Sequence, residues 1–94
     1  DGPLLGTVAG VTLYTGKRLS GASELFTRDV ADLSRTNVGA RSARSIRVPE
    51  GCEATVYSEP GFQGRSTTFR GDDNDFNNTP LGANTAMSIR VTCR

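Results

Sequence analysis

The chain has 94 residues, of which 35% are hydrophobic, and 11 basic against 10 acidic side chains give it a formal charge of +1. This length suits one small domain, and the balanced charge argues against nucleic acid or an anionic membrane surface as a partner. No apolar run approaches the roughly 20 residues that span a bilayer. Histidine is absent, which removes the commonest general base and transition-metal ligand, so we do not expect an enzyme.

The first predicted segment is an arm of residues 1–8, DGPLLGTV, which is expected to add or cover an edge strand. The chain begins at Asp1 without a signal-like stretch, which indicates a mature or trimmed product. A helical alternative at 23–33 has no counterpart in the matching later segment 66–76, so we predict a strand and a loop there, with one helical turn near 30–33. Alternating apolar residues predict strands at 11–14, 45–48, 54–57, 64–69 and 88–91.

The sequence is an internal repeat. A shift of 43 aligns residues 9–51 with residues 52–94 without a gap, and 15 of the 43 pairs are identical, most clearly ARSARSIRV at 40–48 and ANTAMSIRV at 83–91. Two copies are too few for a solenoid, so each is expected to cover the apolar face of the other through a pseudo-twofold. Four strands per copy with a long connection before the last are typical of a Greek key. We therefore predict an all-β fold, an eight-stranded sandwich of Greek keys 9–51 and 52–94.

Two segments of the repeat carry a resemblance to a known family. YSEPGFQG at residues 57–64 has the form Tyr-x4-Phe-x-Gly, and YTGKRLSG at residues 14–21 keeps this form except that Leu19 replaces the second aromatic residue. In each copy a serine follows at the head of Ser-Ile-Arg-Val. Over residues 9–94 the chain resembles a microbial-type βγ-crystallin domain of two Greek-key motifs.

The motif residues have structural roles that follow from a hairpin folded back onto its own sheet. The sharp fold needs a glycine with positive φ, an aromatic pair can cover the hairpin, and a buried serine hydroxyl can satisfy its backbone. The residues with these expected roles are Tyr14, Gly21, Ser45, Tyr57, Phe62, Gly64 and Ser88.

In microbial members of the family the same joint is half of a calcium site with the pattern Asn/Asp-Asn/Asp-x-x-Ser/Thr-Ser, and hard oxygen donors suit Ca²⁺. The penultimate hydroxyl is a ligand, and carbonyls from the loop and from just after the other copy's tyrosine complete the shell. Residues 40–45 place Arg44 at the hydroxyl position, where a guanidinium can neutralise the same carbonyls. We expect the site formed by Ser42, Arg44 and Ser58 to be disabled.

The second loop, residues 83–88, keeps Asn84 but has Met87 at the hydroxyl position, and a thioether is a poor calcium ligand. The oxygens of Thr15, Asn84 and Thr85 remain as a weak candidate site. The resemblance therefore implies at most one weakly bound calcium ion, which would stabilise the fold.

Two further segments have alternative interpretations. GDDNDFNN at residues 71–78 resembles the start of an EF-hand but lacks its glycine and bidentate glutamate, so a solvated loop with Asx turns is favoured. Arg41, Arg44 and Arg47 crowd one joint, where phosphate or nucleic acid is the alternative to a solvated rim or internal carbonyl partners. No aromatic side chains are interleaved with them, so we predict no nucleic-acid partner.

Cys52 and Cys93 are expected to form a disulfide. Each is in phase with the core-facing residues of its strand, and antiparallel pairing of the first and last strands of one Greek key places the two side by side. A disulfide indicates a secreted or periplasmic protein, and a catalytic thiol is disfavoured because no histidine can activate it.

Three functional classes remain. We favour an extracytoplasmic structural module with degenerate calcium binding. A small secreted antagonist, a proteinase inhibitor or antimicrobial toxin similar to this fold, is the alternative, and a structural or stress-related module without a ligand is the third. We expect calcium as the partner, no membrane contact, and a monomer, with a weak homodimer as the alternative.

Overall fold

Six antiparallel strands form two three-stranded sheets in the computed structural model, which describes residues 10–79, 81–82 and 84–93. The first sheet has the order β2-β1-β3, with β1 at Val11–Gly16, β2 at Ser20–Phe26 and β3 at Ser45–Arg47. The second sheet has the order β5-β4-β6, with β4 at Cys52–Glu59, β5 at Gln63–Phe69 and β6 at Ser88–Cys93. The predicted arm at residues 1–8 lies outside the described residues.

A short 3-10 helix follows the edge strand of each sheet, at Leu33–Arg35 and at Phe76–Asn78. Asp32 and Asp75 cap these helices, because each carboxylate accepts a hydrogen bond from the backbone N–H two residues later, at 2.9 Å in both cases. The helical turn predicted near residues 30–33 begins only at residue 33, the last of that range. The second copy has an equivalent turn. Neither helix has the length of a membrane span, and the described part of the chain holds no other helix that does.

Each sheet is extended by a segment from the other half of the chain. Val30 and Ile89 exchange two backbone hydrogen bonds, with N–O distances of 2.8 and 2.9 Å, and Asp73 and Ile46 exchange two at 2.9 Å. These crossings are isolated bridges, because the chain turns into the capped 3-10 helix directly afterwards. The described residues contain six strands and two isolated bridges, so the predicted eight strands are not confirmed.

The core lies between the two sheets and follows the predicted alternation. Arg47 and Arg90 point to solvent, and the rings of Phe69 and Phe76 stack with their centroids 5.0 Å apart. The alternating apolar residues of the predicted strands should face inward; Val91 is partly buried, and those that are buried are Val11, Leu13, Ile46, Val48, Ala54, Val56 and Ile89.

The elements of the two halves recur at the spacing of the sequence repeat. β2 and β5 are 43 residues apart at both ends, and so are the two 3-10 helices. Residues with positive φ recur at the same spacing, namely Arg18 and Gly61, Leu19 and Phe62, Gly21 and Gly64, Gly39 and Gly82, and Arg41 and Asn84. The boundary between residues 51 and 52 and the pseudo-twofold remain predictions that a superposition of the halves tests.

Cys52 and Cys93 form the predicted disulfide. They face each other at the end of the β4–β6 ladder, so the bond closes the second half of the chain onto itself. The first half has no such pair, and its ladder is shorter because β3 ends at Arg47, two residues before Pro49, which has no N–H to donate.

Candidate ligand site

One buried serine holds the folded hairpin of each sheet. The Ser45 hydroxyl donates to the Gly16 carbonyl oxygen at 2.6 Å and accepts from the Leu19 N–H at 3.0 Å. Ser88 makes the equivalent two bonds to the hairpin after β4, at 2.7 and 3.0 Å. These are the hydrogen bonds expected of the two serines, and both side chains are completely buried.

The other motif residues also lie at the hairpins. Gly21 and Gly64 have φ values of +84° and +81°, a region that favours glycine. The Tyr57 and Phe62 rings meet edge to face with centroids 5.9 Å apart, and the Arg90 guanidinium carbon lies 4.4 Å from the Phe62 centroid. The first copy has Leu19 instead of the second ring, so its hairpin has no aromatic pair.

The two loops of the calcium pattern contact each other directly. The Arg41 N–H donates to the Ala86 carbonyl oxygen at 2.9 Å, and the Asn84 N–H donates to the Ala43 carbonyl oxygen at 3.2 Å. A third contact joins side chains, since Arg44 Nε donates to Asn84 Oδ1 at 3.1 Å. The two loops therefore form one continuous surface.

Asn84 contacts a residue from the other predicted site. The sequence placed Asn84 with Thr15 and Thr85, and placed Arg44 with Ser42 and Ser58. The prediction assumed that each loop approaches the tyrosine of the other copy, and the structure does not group the residues in this way.

The strand register explains the difference. β1 pairs with β3 so that Tyr14 lies opposite Ser45, and β4 pairs with β6 so that Tyr57 lies opposite Ser88. Each loop consequently passes the tyrosine of its own copy. The Arg44 N–H donates to the Tyr14 carbonyl oxygen, and the equivalent Met87 N–H donates to that of Tyr57, both at 2.8 Å. Thr15 therefore belongs with the first loop, and Ser58, which follows Tyr57, belongs with the second.

The predicted ligand hydroxyls make local hydrogen bonds. Thr15 Oγ1 accepts from the Ala22 N–H at 3.0 Å, and Ser58 Oγ accepts from the Arg65 N–H at 2.9 Å. Ser42 Oγ donates to a carbonyl oxygen two residues earlier, and Thr85 Oγ1 donates to two carbonyl oxygens in its own loop. These contacts fix the hairpins and loops themselves.

An open surface depression of about 480 Å³, which we call the inter-loop depression, lies where the second loop passes the hairpin after β4. It brings together three of the predicted site residues and does not include Thr15. Its lining is Arg41, Ser58, Glu59, Gly64, Arg65, Asn84 and Thr85. Sequence reasoning missed Glu59 and Arg65. The one sequence feature that could have indicated them is their position directly after Ser58 and after the motif glycine Gly64.

The structure leaves two groups of residues from the calcium pattern: Thr15, Arg44 and Asn84 form the first, and Ser58, Thr85 and Met87 form the second. Calcium requires six to eight oxygen ligands, and neither group supplies a fitting set. In the first group the Arg44 guanidinium donates a hydrogen bond to Asn84 Oδ1, the oxygen that a calcium ion would need. In the second, Met87 stands at the hydroxyl position, and Arg41 and Arg65 place two positive charges beside one carboxylate. Across residues 10–79, 81–82 and 84–93, no three His, Cys, Asp or Glu side chains are arranged to hold a metal ion.

The acidic loop 71–78 has structural roles. Asp73 Oδ1 accepts from the Asp75 N–H at 2.8 Å, and Asp75 caps the second 3-10 helix, so the predicted Asx turns are present. Asp72 Oδ1 accepts from the Val48 N–H at 2.7 Å. Asp75 also forms an ion pair with Lys17, with 3.7 Å between Nζ and Oδ2.

Comparison with known proteins agrees with this architecture. The family model for Beta/Gamma crystallin matches residues 10–91. The chain belongs to the βγ-crystallin family. Its fold is similar to that of a βγ-crystallin domain from Flavobacterium johnsoniae, with 28% identity, a TM-score of 0.76, and 89% of this chain and 94% of that chain covered.

Two further βγ-crystallins extend the comparison. A βγ-crystallin from Ciona intestinalis is 19% identical, with a TM-score of 0.79 over 89% of this chain and all of that chain. A clostrillin variant with two serines changed to histidine, solved in complex with nickel, is 23% identical, with a TM-score of 0.76 over 89% of this chain and 98% of that one. No curated protein sequence matches the chain.

Proposed function

We propose that this βγ-crystallin domain is a structural module of an oxidising, extracytoplasmic compartment, in which at most one calcium ion binds, and weakly. The observation that carries the proposal is the 3.1 Å contact between Arg44 Nε and Asn84 Oδ1. This charged hydrogen bond joins the two loops at the place where the family resemblance implies a bridging cation. A guanidinium in that place stabilises the loop pair without a metal.

Two further observations support a structural role. The Cys52–Cys93 disulfide is the kind of bond that persists in secreted and periplasmic proteins. Every buried side-chain nitrogen or oxygen in the described part of the chain has a hydrogen-bond partner, as expected of a well-packed core. The family is a structural rather than an enzymatic one.

The bridging segments support a Greek-key connection. The Val30 and Asp73 segments each exchange two backbone hydrogen bonds with the opposite sheet. We interpret each segment as the third strand of a Greek key, reduced to one residue pair by the turn that follows.

Any residual calcium binding is weak, because Arg44 already bonds Asn84 Oδ1 at the first loop and Arg41 and Arg65 oppose a cation in the inter-loop depression. The nickel complex of the clostrillin variant gives no support for a transition metal here, because that variant has introduced histidines and this chain has none.

The test is thermal unfolding of the oxidised and the reduced protein, each in EDTA and in millimolar calcium. Reduction should lower the melting temperature strongly, because a disulfide with a sequence separation of 41 contributes up to about 4 kcal/mol in the chain-entropy model. Calcium near its dissociation constant adds about 0.4 kcal/mol, a rise of about 2 °C. A rise above about 10 °C in calcium would contradict the proposal, and so would free thiols in the exported protein.

The antagonist alternative draws no support from the described hairpins. Both turns are exposed at their tips, but each is tied back to its sheet by a buried serine, Ser45 or Ser88, as expected for a structural hairpin. Assays of protease and growth inhibition with the oxidised protein test this alternative directly.

A further inference from the structure

The inter-loop depression has a charge opposite to that of a calcium site. Two arginines, Arg41 and Arg65, and one acidic residue, Glu59, line it. Neither guanidinium forms an ion pair with a carboxylate of the described residues, whereas Lys17 and Arg70 each do. Two exposed cationic groups therefore share one concave surface without a described acidic partner.

Two polar residues of the same lining, Asn84 and Ser58, keep hydrogen-bond donors available. Asn84 Oδ1 already accepts from Arg44 Nε, so the amide nitrogen of Asn84 remains to donate its hydrogens. Ser58 Oγ already accepts from the Arg65 N–H, so its hydroxyl hydrogen remains available. Gly64 has no side chain to cover this part of the surface.

The backbones that carry the two arginines are held in place. The Arg41 N–H is bonded to the Ala86 carbonyl oxygen at 2.9 Å, and Arg65 lies within β5 with its N–H on Ser58. Both side chains thus extend from fixed points at the rim of the same depression.

We propose that the inter-loop depression binds a compact tetrahedral oxyanion, either free phosphate or sulfate or a phosphate group carried by a larger molecule. Guanidinium groups pair with such oxygens in bidentate fashion, and amide and hydroxyl donors complete the contact. Glu59 limits the affinity, and the open position exposes the site to salt screening, so binding is in the millimolar range. This activity is additional to the structural role and does not depend on it.

The equivalent surface of the other half supplies an internal comparison. Ala22 stands where the second half has Arg65, and Gly16 stands where it has Glu59. That surface has no counterpart of Arg65, and its Arg44 is already bonded to Asn84, so the proposal is for one site and not two.

The experiment follows amide and arginine Nε shifts of the oxidised, nitrogen-15-labelled protein during titration with inorganic phosphate at constant ionic strength. We expect saturable shifts at Ser58, Arg65, Asn84 and Thr85. Arg41→Gln and Arg65→Gln should each weaken binding about two- to fivefold, and Glu59→Gln should strengthen it. Arg70→Gln is the matched control, since Arg70 is exposed, paired with Glu53 and outside the depression, and it should leave binding unchanged.

Three results would overturn the proposal: shifts that spread over the surface without saturating, undiminished binding by the Arg41→Gln/Arg65→Gln double variant, or weaker binding after Glu59→Gln. Parallel titrations with sulfate and phenyl phosphate distinguish a free oxyanion from a carried phosphate group. Because the structural proposal is tested by melting in calcium, its failure and the failure of phosphate binding are separate results.

Discussion

The carboxylate of Asp29 accepts a hydrogen bond from the backbone N–H of Val91 at 2.8 Å, across a sequence separation of 62 residues. The equivalent residues of the other half do the same, since Asp72 Oδ1 accepts from the Val48 N–H at 2.7 Å. Each aspartate thus binds the end of the Ser-Ile-Arg-Val segment of the opposite half, beside the backbone bridge that joins the two halves. This explains why the repeat keeps Asp at these positions.

We expect Asp29→Ala and Asp72→Ala each to lower the free energy of unfolding by about 1–2 kcal/mol, because a backbone N–H loses its acceptor. The Asp72 variant should lose more, since Val48 is buried whereas the Asp29–Val91 bond is exposed. Urea unfolding at neutral pH measures both. Asp→Asn at each position is the control because it keeps an acceptor oxygen, and equal losses for Asn and Ala would contradict the explanation.

Ser45→Ala and Ser88→Ala should each cost about 2–3 kcal/mol, because each leaves one carbonyl and one N–H of the folded hairpin without a partner. Ser66→Ala is the matched control, since Ser66 is exposed on β5. Chemical denaturation of the three variants gives the comparison. If Ser45→Ala were no more costly than Ser66→Ala, the serine would not hold the hairpin.

Asp32 should make stability depend on acidic pH. Hydrogen bonds from the Ser34 side chain and from its backbone N–H hold the pKa of Asp32 below its usual value. A carboxylate with a lowered folded pKa contributes stability above its unfolded pKa and loses it as the pH falls through the folded pKa. Asp32→Asn keeps an acceptor but cannot titrate. The melting-temperature difference between the wild type and this variant should shrink as the pH falls below the usual aspartate pKa, and a constant difference would exclude this role for Asp32.

Calcium binding should respond unequally to changes in the two loops. Arg44→Ser should create a measurable site, because it frees Asn84 Oδ1 and supplies the missing hydroxyl. Met87→Ser alone should have little effect, because Arg41 stands where the other group has Asn84. The Met87→Ser/Arg41→Asn double variant should restore binding there. Isothermal calorimetry with the decalcified, oxidised proteins tests this order, and a stronger response to Met87→Ser than to Arg44→Ser would contradict the grouping of residues.

The faces of the strands and the disulfide could be predicted from sequence because both depend on a period of two residues. Val11 and Leu13 alternate with polar neighbours, and Cys52 and Cys93 are in phase with such residues. The strand count could not be predicted, since the crossing segment around Val30 makes a single residue pair and leaves no alternating pattern.

The grouping of the site residues was beyond the sequence for a different reason. It depends on which tyrosine each loop passes, and the pairing of Tyr14 with Ser45 across two strands decides this. The charge of the inter-loop depression likewise arises from Arg41 and Arg65, which are 24 residues apart in the chain and belong to no common motif.

Each half of the chain contributes a segment to the sheet of the other half, so the two halves interlock. One peptide segment connects them covalently. The disulfide joins two strands of the same half, so backbone residues 48–52 carry the covalent link between the halves. Pro49, Glu50 and Gly51 are all exposed. Cleavage after Glu50 should therefore yield a non-covalent heterodimer of unlike fragments, which elutes as one species in size-exclusion chromatography and melts at a temperature that depends on protein concentration.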